Sequence, residues 1–403
     1  MAVGSVDALN QGAEKYKCDS NDATFLKLVR NEEDVLNEDN AFHPWMSHQI
    51  FGDSETIFGY KNLKVNLYYH GGSLLTYLSM SCDEKIPSSM KINPDPVLPN
   101  VAEVLPEGFY SNRDEFIAKL PEENTFVPMG NKIHSYTRND VEYEIYQADI
   151  TVPRLKDYHA RLQTFILWFI DGASFIDSDD ERWNYFLLFE KKKGPVMSEY
   201  SIVGYITVYQ YFAYPDKYRP RISQMLTLPP YQKSGHGVEL LDAVNRYYIT
   251  QANAIDITVE EPSEYFVRCR DFVDCRNCLK LNEFAKEKLL TGFTNEMKSA
   301  ALKSFKITKK QSRRVYEILR LKCTDQSNVD MYRDYRLDVK NRLNIPFQKQ
   351  ARDMQKLKHA LSPEEYNAAM VGQTHDERIQ RLDEAYNMLQ EEYTKVITRL
   401  DAS

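Results

Sequence analysis

One local pattern constrains the fold of this chain more than any other: an apolar strand, a glycine-containing loop, a helix and a second strand follow one another. The first strand is expected around 222–228, the helix at 238–248 and the second strand at 255–259. The loop before the helix, 232–237, reads Gln-Lys-Ser-Gly-His-Gly. Apolar residues alternate in the strands and recur at helical spacing in the helix. The pattern predicts an α/β fold in which helices flank a sheet.

The length of 403 residues predicts several domains, because one domain usually takes roughly 100–200 residues. Residues 1–135 mix short strand-like runs with proline-punctuated loops and predict an irregular α/β domain. Residues 136–271 alternate strands and helices, and residues 272–403 are predicted to be helical. Besides the unit above, the expected elements of the middle domain are strands at 143–151, 184–189 and 202–212 and a helix at 158–170.

The C-terminal region carries an apolar stripe with alternating spacings of three and four. Such a stripe is typical of a helix that packs on another helix, within the chain or in a dimer, and packing within the chain is the simpler interpretation. The stripe consists of Ile379, Leu382, Tyr386, Leu389, Tyr393, Val396 and Leu400.

Composition excludes several protein classes. Hydrophobic residues make up 42% of the chain and charged residues 27%, as in a globular protein that buries a core. The longest strongly apolar run, 165–170, is much shorter than the ~18 residues of a membrane span, so no membrane segment or secretion signal is expected. Six cysteines are too few for a disulfide scaffold and predict reduced thiols in the cytosol or nucleus.

Charge is unevenly distributed along the chain. Residues 301–360 contain 16 Lys plus Arg against 6 Asp plus Glu, a local charge of +10, although the whole chain has a formal charge of −8. The remainder therefore sums to −18. An acidic body of this kind repels nucleic acid and attracts basic partners.

The loop at 232–237 suits an anionic ligand. Backbone N–H groups at the start of a helix lack intrahelical acceptors and lie at the positive end of the helix dipole, so a pyrophosphate fits there. The loop has neither the P-loop pattern nor the Gly-x-Gly-x-x-Gly of dinucleotide folds, which argues against nucleoside triphosphates and nicotinamide. Cys269, Cys275 and Cys278 include a single Cys-x-x-Cys without a second couplet, so no metal site is expected.

Beyond this pattern, the sequence resembles a known family. Gln-x-x-Gly-x-Gly between a strand and a helix is similar to the acetyl-CoA signature of the GNAT acetyltransferases. Nearly the whole chain resembles the type B histone acetyltransferase catalytic subunits within that superfamily. The segments that carry the resemblance are 180–183 (Asp-Glu-Arg-Trp), 214–216 (Tyr-Pro-Asp), 223–226 (Ser-Gln-Met-Leu), 256–263 (Asp-Ile-Thr-Val-Glu-Glu-Pro-Ser) and 313–320 in the helical region.

The resemblance implies a GNAT acetyltransferase core, a mixed and splayed sheet flanked by helices, between an irregular α/β N-terminal domain and an all-helical C-terminal domain. It also implies acetyl-CoA as the acetyl donor. The residues expected at the cofactor are Met225, Leu226, Thr227, Gln232, Lys233, Ser234, Gly235, His236, Gly237, Val238, Ser263 and Phe266.

Three acids match the catalytic positions of the family. Glu260 matches the general base, Glu261 is a second candidate, and Asp171 stands where other members tend to carry Glu. Neighbouring strand residues point to opposite faces, so only one of Glu260 and Glu261 is expected to face the cleft unless the strand has ended before them.

The resemblance further implies a groove for a basic peptide. Acids there pair with Arg or Lys of the substrate, and aromatic walls hold a lysine stem. The expected residues are Asp53, Ser54, Glu55, Trp183, Tyr209, Gln210 and Tyr211.

The function implied is acetyl transfer to tail lysines of newly synthesised histone H-four, by direct attack of the lysine on acetyl-CoA. Two alternatives remain: a histone-binding escort with a weak or silent acetyltransferase site, and a GNAT enzyme for another amine. The family partners are the histone H-four tail and a β-propeller (WD-repeat) histone chaperone, and the expected location is nucleus and cytoplasm.

Overall fold

A computed structural model describes residues 14–90, 92–194, 197–357 and 375–402. The chain forms two compact units, the first made of 1–212 with 220–244 and the second of 213–219 with 245–403. The expected domain boundaries, after residues 135 and 271, fall inside a strand and a helix given below, and the three-domain division stays a prediction.

The strands are β1 (Lys17–Asp19), β2 (Thr24–Val29), β3 (Thr56–Phe58), β4 (Tyr60–Lys61), β5 (Lys64–His70), β6 (Thr76–Ser81), β7 (Glu84–Lys85), β8 (Asn131–Arg138), β9 (Val141–Asp149), β10 (Trp183–Lys193), β11 (Ser198–Ala213), β12 (Lys217–Thr227) and β13 (Thr258–Val259). The helices are α1 (Ser20–Ala23), α2 (Glu32–Leu36), α3 (His48–Phe51), α4 (Val97–Val104), α5 (Arg113–Glu123), α6 (Leu155–Leu162), α7 (Ile166–Phe169), α8 (His236–Thr250), α9 (Glu264–Cys278), α10 (Lys286–Thr291), α11 (Asn295–Phe305), α12 (Lys309–Cys323), α13 (Val329–Leu357) and α14 (His375–Asp401).

The N-terminal part of the first unit is built on a small mixed sheet. Strand β5 lies between β2, which runs parallel to it, and β6, which runs antiparallel. Leu26, Leu67 and Leu78 are aligned across the three strands and are buried. Their packing on one face fixes the register, because a slip of one residue in any of these strands would turn its leucine toward the opposite face.

The larger sheet of the first unit has β8, β9, β10, β11 and β12 side by side in chain order. The predicted antiparallel pairing of the strands near 184–189 and 202–212 is confirmed, since β10 and β11 pair antiparallel over almost their whole length. The single helix expected at 158–170 is wrong in detail. A short 3-10 turn at Gln163–Phe165 separates α6 from α7, and the apolar residues 165–169 lie in the core under the sheet.

Beyond β13, the elements of the second unit in the described ranges are helices, as the sequence predicts. Helix α14 packs on α9, α12 and α13, so its apolar stripe serves packing within the chain. Tyr386, Tyr393 and Val396 of the stripe are buried, whereas Ile379 near the start of the helix is 45% exposed.

A buried carboxylate ties three helices of this unit together. Glu317 of α12 is fully buried, and its Oε1 accepts hydrogen bonds from Arg313 Nε (2.8 Å) and from Arg342 Nε of α13 (2.6 Å). Its Oε2 accepts from Arg342 Nη2 (2.7 Å) and from the Tyr393 hydroxyl of α14 (2.8 Å). Charged groups removed from water need such complete pairing.

Removing this charge should destabilise the second unit. Glu317→Gln leaves the partly buried guanidinium of Arg342 without its counter-ion and removes one of the two acids that pair with Arg313, so we expect the free energy of unfolding to fall by about 2–3 kcal/mol. Urea unfolding followed by circular dichroism measures the loss. Glu391→Gln is the control, because Glu391 is exposed and pairs with Lys395 (3.0 Å) at the surface; a change of at most ~1 kcal/mol is expected there. Equal losses in the two variants would contradict this account of Glu317.

Candidate functional site

The strand, loop and helix that the sequence predicts around 222–248 are present. Strand β12 ends at Thr227, a 3-10 turn follows at Pro229–Tyr231, and α8 begins at His236. The Gln232 side chain donates a hydrogen bond from Nε2 to the Thr227 carbonyl (2.8 Å), which closes the loop on the end of the strand. Backbone N–H groups at the start of a helix have no acceptor within the helix, so those at this loop suit a ligand.

Backbone dihedrals explain why glycine is needed in this loop. Lys233 has φ of 60° and Gly235 has φ of 81°, both in the left-handed region that glycine adopts without strain. A Cβ atom at Gly235 would also lie 2.5 Å from Nη1 of Arg138. The left-handed conformation is therefore the main constraint at this position, because the end of the Arg138 side chain is flexible and can shift.

Arg138 is a site residue that the sequence analysis missed. It lies at the end of β8, and its guanidinium donates hydrogen bonds to the Ser234 carbonyl and to Glu239 Oε1 (3.2 Å). It therefore fixes the loop against the first turn of α8. No local sequence signal marks it, because the contact joins segments that are far apart along the chain.

His236 anchors the start of α8 to the sheet. Its ring is 3% exposed, its Nδ1 lies 2.7 Å from the Tyr136 hydroxyl, and its centroid is 4.4 Å from that of Tyr143. Burial, together with the Arg138 charge, lowers the pKa of His236 to about 4. The ring is therefore neutral at neutral pH, and its observed contacts are structural.

The strand residues expected beside the acetyl group lie against β11. Leu226 and Thr227 are buried, and Met225 is partly buried. A Cβ atom at Gly204 of β11 would come within 2.4 Å of the Leu226 carbonyl oxygen, so the two backbones approach closely at this point.

Three of the expected acids come together in the first unit. Asp53, Glu55 and Asp171 line a cavity of about 320 Å³ with Met46 and His48. The His48 ring bridges two of them: Nδ1 lies 3.6 Å from Glu55 Oε1, and Nε2 lies 3.4 Å from Asp171 Oδ1. The sequence analysis missed His48, although it predicted both of the acids that this residue links.

Glu55 differs from the other acids of the cavity because its carboxylate accepts hydrogen bonds from backbone N–H groups. Its Oε1 accepts hydrogen bonds from the N–H groups of Ser47 (2.6 Å) and His48 (3.1 Å), and its Oε2 accepts one from Asn21 Nδ2 (3.0 Å). The bond from Ser47 is the main cause that lowers the pKa of Glu55. Asp53 is exposed at the same cavity.

Aromatic residues expected at the groove form one cluster. The Trp183 and Tyr209 rings are 4.9 Å apart, and the Tyr209 and Tyr211 rings are 4.7 Å apart. The Tyr209 hydroxyl donates to Asp180 Oδ2 (2.9 Å), while the Arg182 guanidinium lies 4.9 Å from the Tyr209 ring centroid. Hydrogen bonds from Arg182 are the main cause that lowers the pKa of Asp180.

The rest of this cluster is more open. Tyr211 is 40% exposed, and the Arg221 guanidinium lies 4.6 Å from its ring centroid. Gln210, between the two tyrosines, donates its backbone N–H to the Arg182 carbonyl (3.0 Å). The cluster thus offers aromatic faces with cations already stacked on them.

The remaining predicted residues lie in the second unit. Glu260 and Glu261 follow β13 directly and are exposed, so the strand has ended before both acids and strand alternation does not separate them. Glu261 has φ of 32°. The Ser263 hydroxyl accepts the N–H of Phe266 (3.2 Å) and caps α9, and Phe266 is 6% exposed.

The cysteines predicted to be outside any metal site lie in α9. Cys269, Cys275 and Cys278 are free and buried, and burial raises the pKa of each thiol. In the described ranges, no three or more His, Cys, Asp or Glu side chains are grouped so that they could hold a metal ion. Nor is any helix in those ranges long and apolar enough to cross a membrane.

Comparison with known proteins gives one consistent result. Residues 16–171 match the family model "Histone acetyl transferase HAT1 N-terminus", and residues 270–321 match "Histone acetyltransferase type B catalytic subunit, C-terminal". The chain is 44% identical over 400 residues to the histone acetyltransferase type B catalytic subunits of Mus musculus and Homo sapiens, covering 98% of this chain and 96% of each relative. It is 31% identical to that of Cryptococcus neoformans, over 95% of this chain and 98% of the relative. The chain therefore belongs to the family of type B histone acetyltransferase catalytic subunits, and it is an acetyltransferase.

Proposed function

We propose that this enzyme transfers acetyl from acetyl-CoA to tail lysines of newly synthesised histone H-four, by direct attack of the neutral lysine on the thioester. The observation that carries the proposal is the loop at 232–237 at the N-terminus of α8, where Gly235 adopts a left-handed conformation and Arg138 and His236 fix the loop against the sheet. Backbone N–H groups at such a position suit a pyrophosphate. When bound, acetyl-CoA would supply the activated acetyl group, and the loop would hold its pyrophosphate.

The first prediction concerns acetyl-CoA binding. Gly235→Asp adds a negative charge where phosphate would lie and a side chain that collides with Arg138, so acetyl-CoA affinity should fall by at least tenfold in calorimetry. Gly108→Asp is the matched control, because Gly108 also has positive φ (91°) but no neighbour within 4 Å of an added Cβ. If a folded Gly235→Asp variant bound acetyl-CoA like the control, the loop would not be the pyrophosphate site.

Lysine acetylation needs a group that accepts a proton. A lysine with a reference pKa of ~10.4 costs roughly 4.6 kcal/mol to present as the neutral amine at pH 7. Glu260 is the proposed base, and Glu261 and Asp171 are the acids that would share the task through water. The end of β13 just before Glu260 supports this role, because it leaves the residue on an exposed loop.

Glu260→Gln should slow acetylation by about 10²- to 10⁴-fold while leaving acetyl-CoA affinity almost unchanged, because the amide keeps the shape but cannot take a proton. The acidic limb of the pH–rate profile should change with it. Glu264→Gln is the control, since Glu264 is a nearby exposed acid in the first turn of α9. An unchanged rate and acidic limb in Glu260→Gln would assign the proton transfer to another group.

We propose that the acids and aromatic rings of the first unit recognise a basic peptide. Asp53 is exposed at the cavity, whereas Glu55 holds the backbone of 47–48. A substrate lysine that follows a Gly-x-Gly sequence offers little side chain to read, so flanking positive charges must supply much of the affinity.

We expect Asp53→Asn to weaken binding of a histone H-four tail peptide several-fold, with a loss that shrinks as salt is raised, because screening weakens the same interaction in the parent. Turnover of a small amine should not change. Glu55→Gln should instead lower thermal stability as well, because it weakens hydrogen bonds to backbone N–H groups. Asp39→Asn, at an exposed acid of the same unit, serves as the control. Equal losses for the peptide and the small amine in Asp53→Asn would place the groove elsewhere.

A β-propeller (WD-repeat) histone chaperone as partner, and a location in nucleus and cytoplasm, are further parts of the proposal. They are supported by the resemblance to the family, and the acidic body of the chain is compatible with a basic histone partner. Co-purification of the chain with tagged histone H-four, with and without a chaperone of this class, tests the association.

A further inference from the structure

The second unit contains a large cavity whose lining shares Phe266 with the residues assigned to the proposed reaction. Its volume is about 960 Å³, within the upper part of the ~300–1,000 Å³ range of small-molecule sites. Apolar side chains from three parts of the unit form much of its wall, namely Val259, Pro262, Phe266, Val267, Phe293 and Ile345. A cavity with such walls favours an apolar body.

Cations also line the cavity, and acids of the same unit neutralise most of them. Four arginines line it, and each forms an ion pair with a different acid. The pairs, with their N–O distances, are Arg270–Asp274 (3.4 Å), Arg313–Asp338 (2.8 Å), Arg314–Asp271 (2.6 Å) and Arg342–Glu317 (2.6 Å). These arginines therefore bring little net charge to a ligand.

Two further cations have no such compensation. Lys309 and Lys310 also line the cavity, at the start of α12, and both are exposed. Within the ranges that the structure describes, neither lysine forms an ion pair. The cavity thus combines apolar walls with a net charge of about two at one end, a distribution that complements an amphipathic anion.

We infer that this cavity binds a small organic anion with an apolar body and one acidic head, a long-chain carboxylate being the simplest example. The apolar body fills the space between α9, α12 and α13, and the head pairs with Lys309 and Lys310. Except for Phe266, the lining residues differ from those assigned to acetyl-CoA. The inference concerns binding alone and does not depend on the proposed histone substrate.

Titration of the full chain with dansyl-undecanoate, a fluorescent fatty acid, tests the inference. We expect saturable binding of one probe per chain and about tenfold weaker binding of the methyl ester, which has the same body without the charge. Unlabelled laurate should displace the probe. Equal affinities for the acid and the ester would overturn the inference.

Variants then locate the bound probe. Lys309→Gln with Lys310→Gln should weaken binding of the acid about tenfold and leave that of the ester unchanged. Lys298→Gln with Lys303→Gln, on α11 and outside the cavity wall, should change neither. Val267→Trp, which fills the cavity, should weaken both ligands, and circular dichroism checks its fold; the exposed lysine variants keep the test decisive if that variant does not fold.

Two results would contradict the assignment. An equal loss of acid binding in the two lysine pairs would show a diffuse charge effect. Stoichiometric displacement of the probe by acetyl-CoA, lost in Gly235→Asp, would show that the cavity is part of the cofactor site. Failure of the proposed acetyl-transfer function, in contrast, would appear as absent turnover with probe binding intact.

Discussion

The first unit of this enzyme depends on one chain reversal, where β12 gives way to α8. The backbone must turn within a few residues and enter a helix whose first N–H groups stay unpaired within the helix. Gly235 permits the turn because of its left-handed conformation. Arg138 of β8 donates hydrogen bonds to the loop and to α8. His236, at the start of α8, contacts Tyr136 of β8 and Tyr143 of β9. The geometry of the loop at 232–237 therefore depends on the sheet as much as on the residues of the loop.

Features that depend on residues close together in the sequence were predictable from the sequence. The order of strand, loop and helix around 222–248, the antiparallel pair β10 and β11, and the helical C-terminal region all follow from local period and turn residues. The break between α6 and α7 was not predictable, because the buried apolar run at 165–170 is compatible with one continuous helix. Its 3-10 turn is set by packing in the core.

The site shows the same limit. The loop and the acids of the first unit were predicted from motif and resemblance, whereas Arg138 and His48, which contact them, were not. Each of these two residues acts by joining segments distant in sequence, and neither stands in a recognisable local pattern. The charge of +10 in residues 301–360 also overstates the positive charge at the surface, because arginines of that segment pair with acids inside the unit.

The buried thiols of α9 can report local opening of the structure around them. Cys269, Cys275 and Cys278 are at most 1% exposed, whereas Cys18 and Cys82 of the first unit are partly exposed. An alkylating reagent reaches a buried thiol only when its surroundings open. The alkylation rate of the three α9 cysteines, followed by mass spectrometry on the native enzyme, therefore reports how often the region around α9 opens. The protein's own cysteines serve as the reporters.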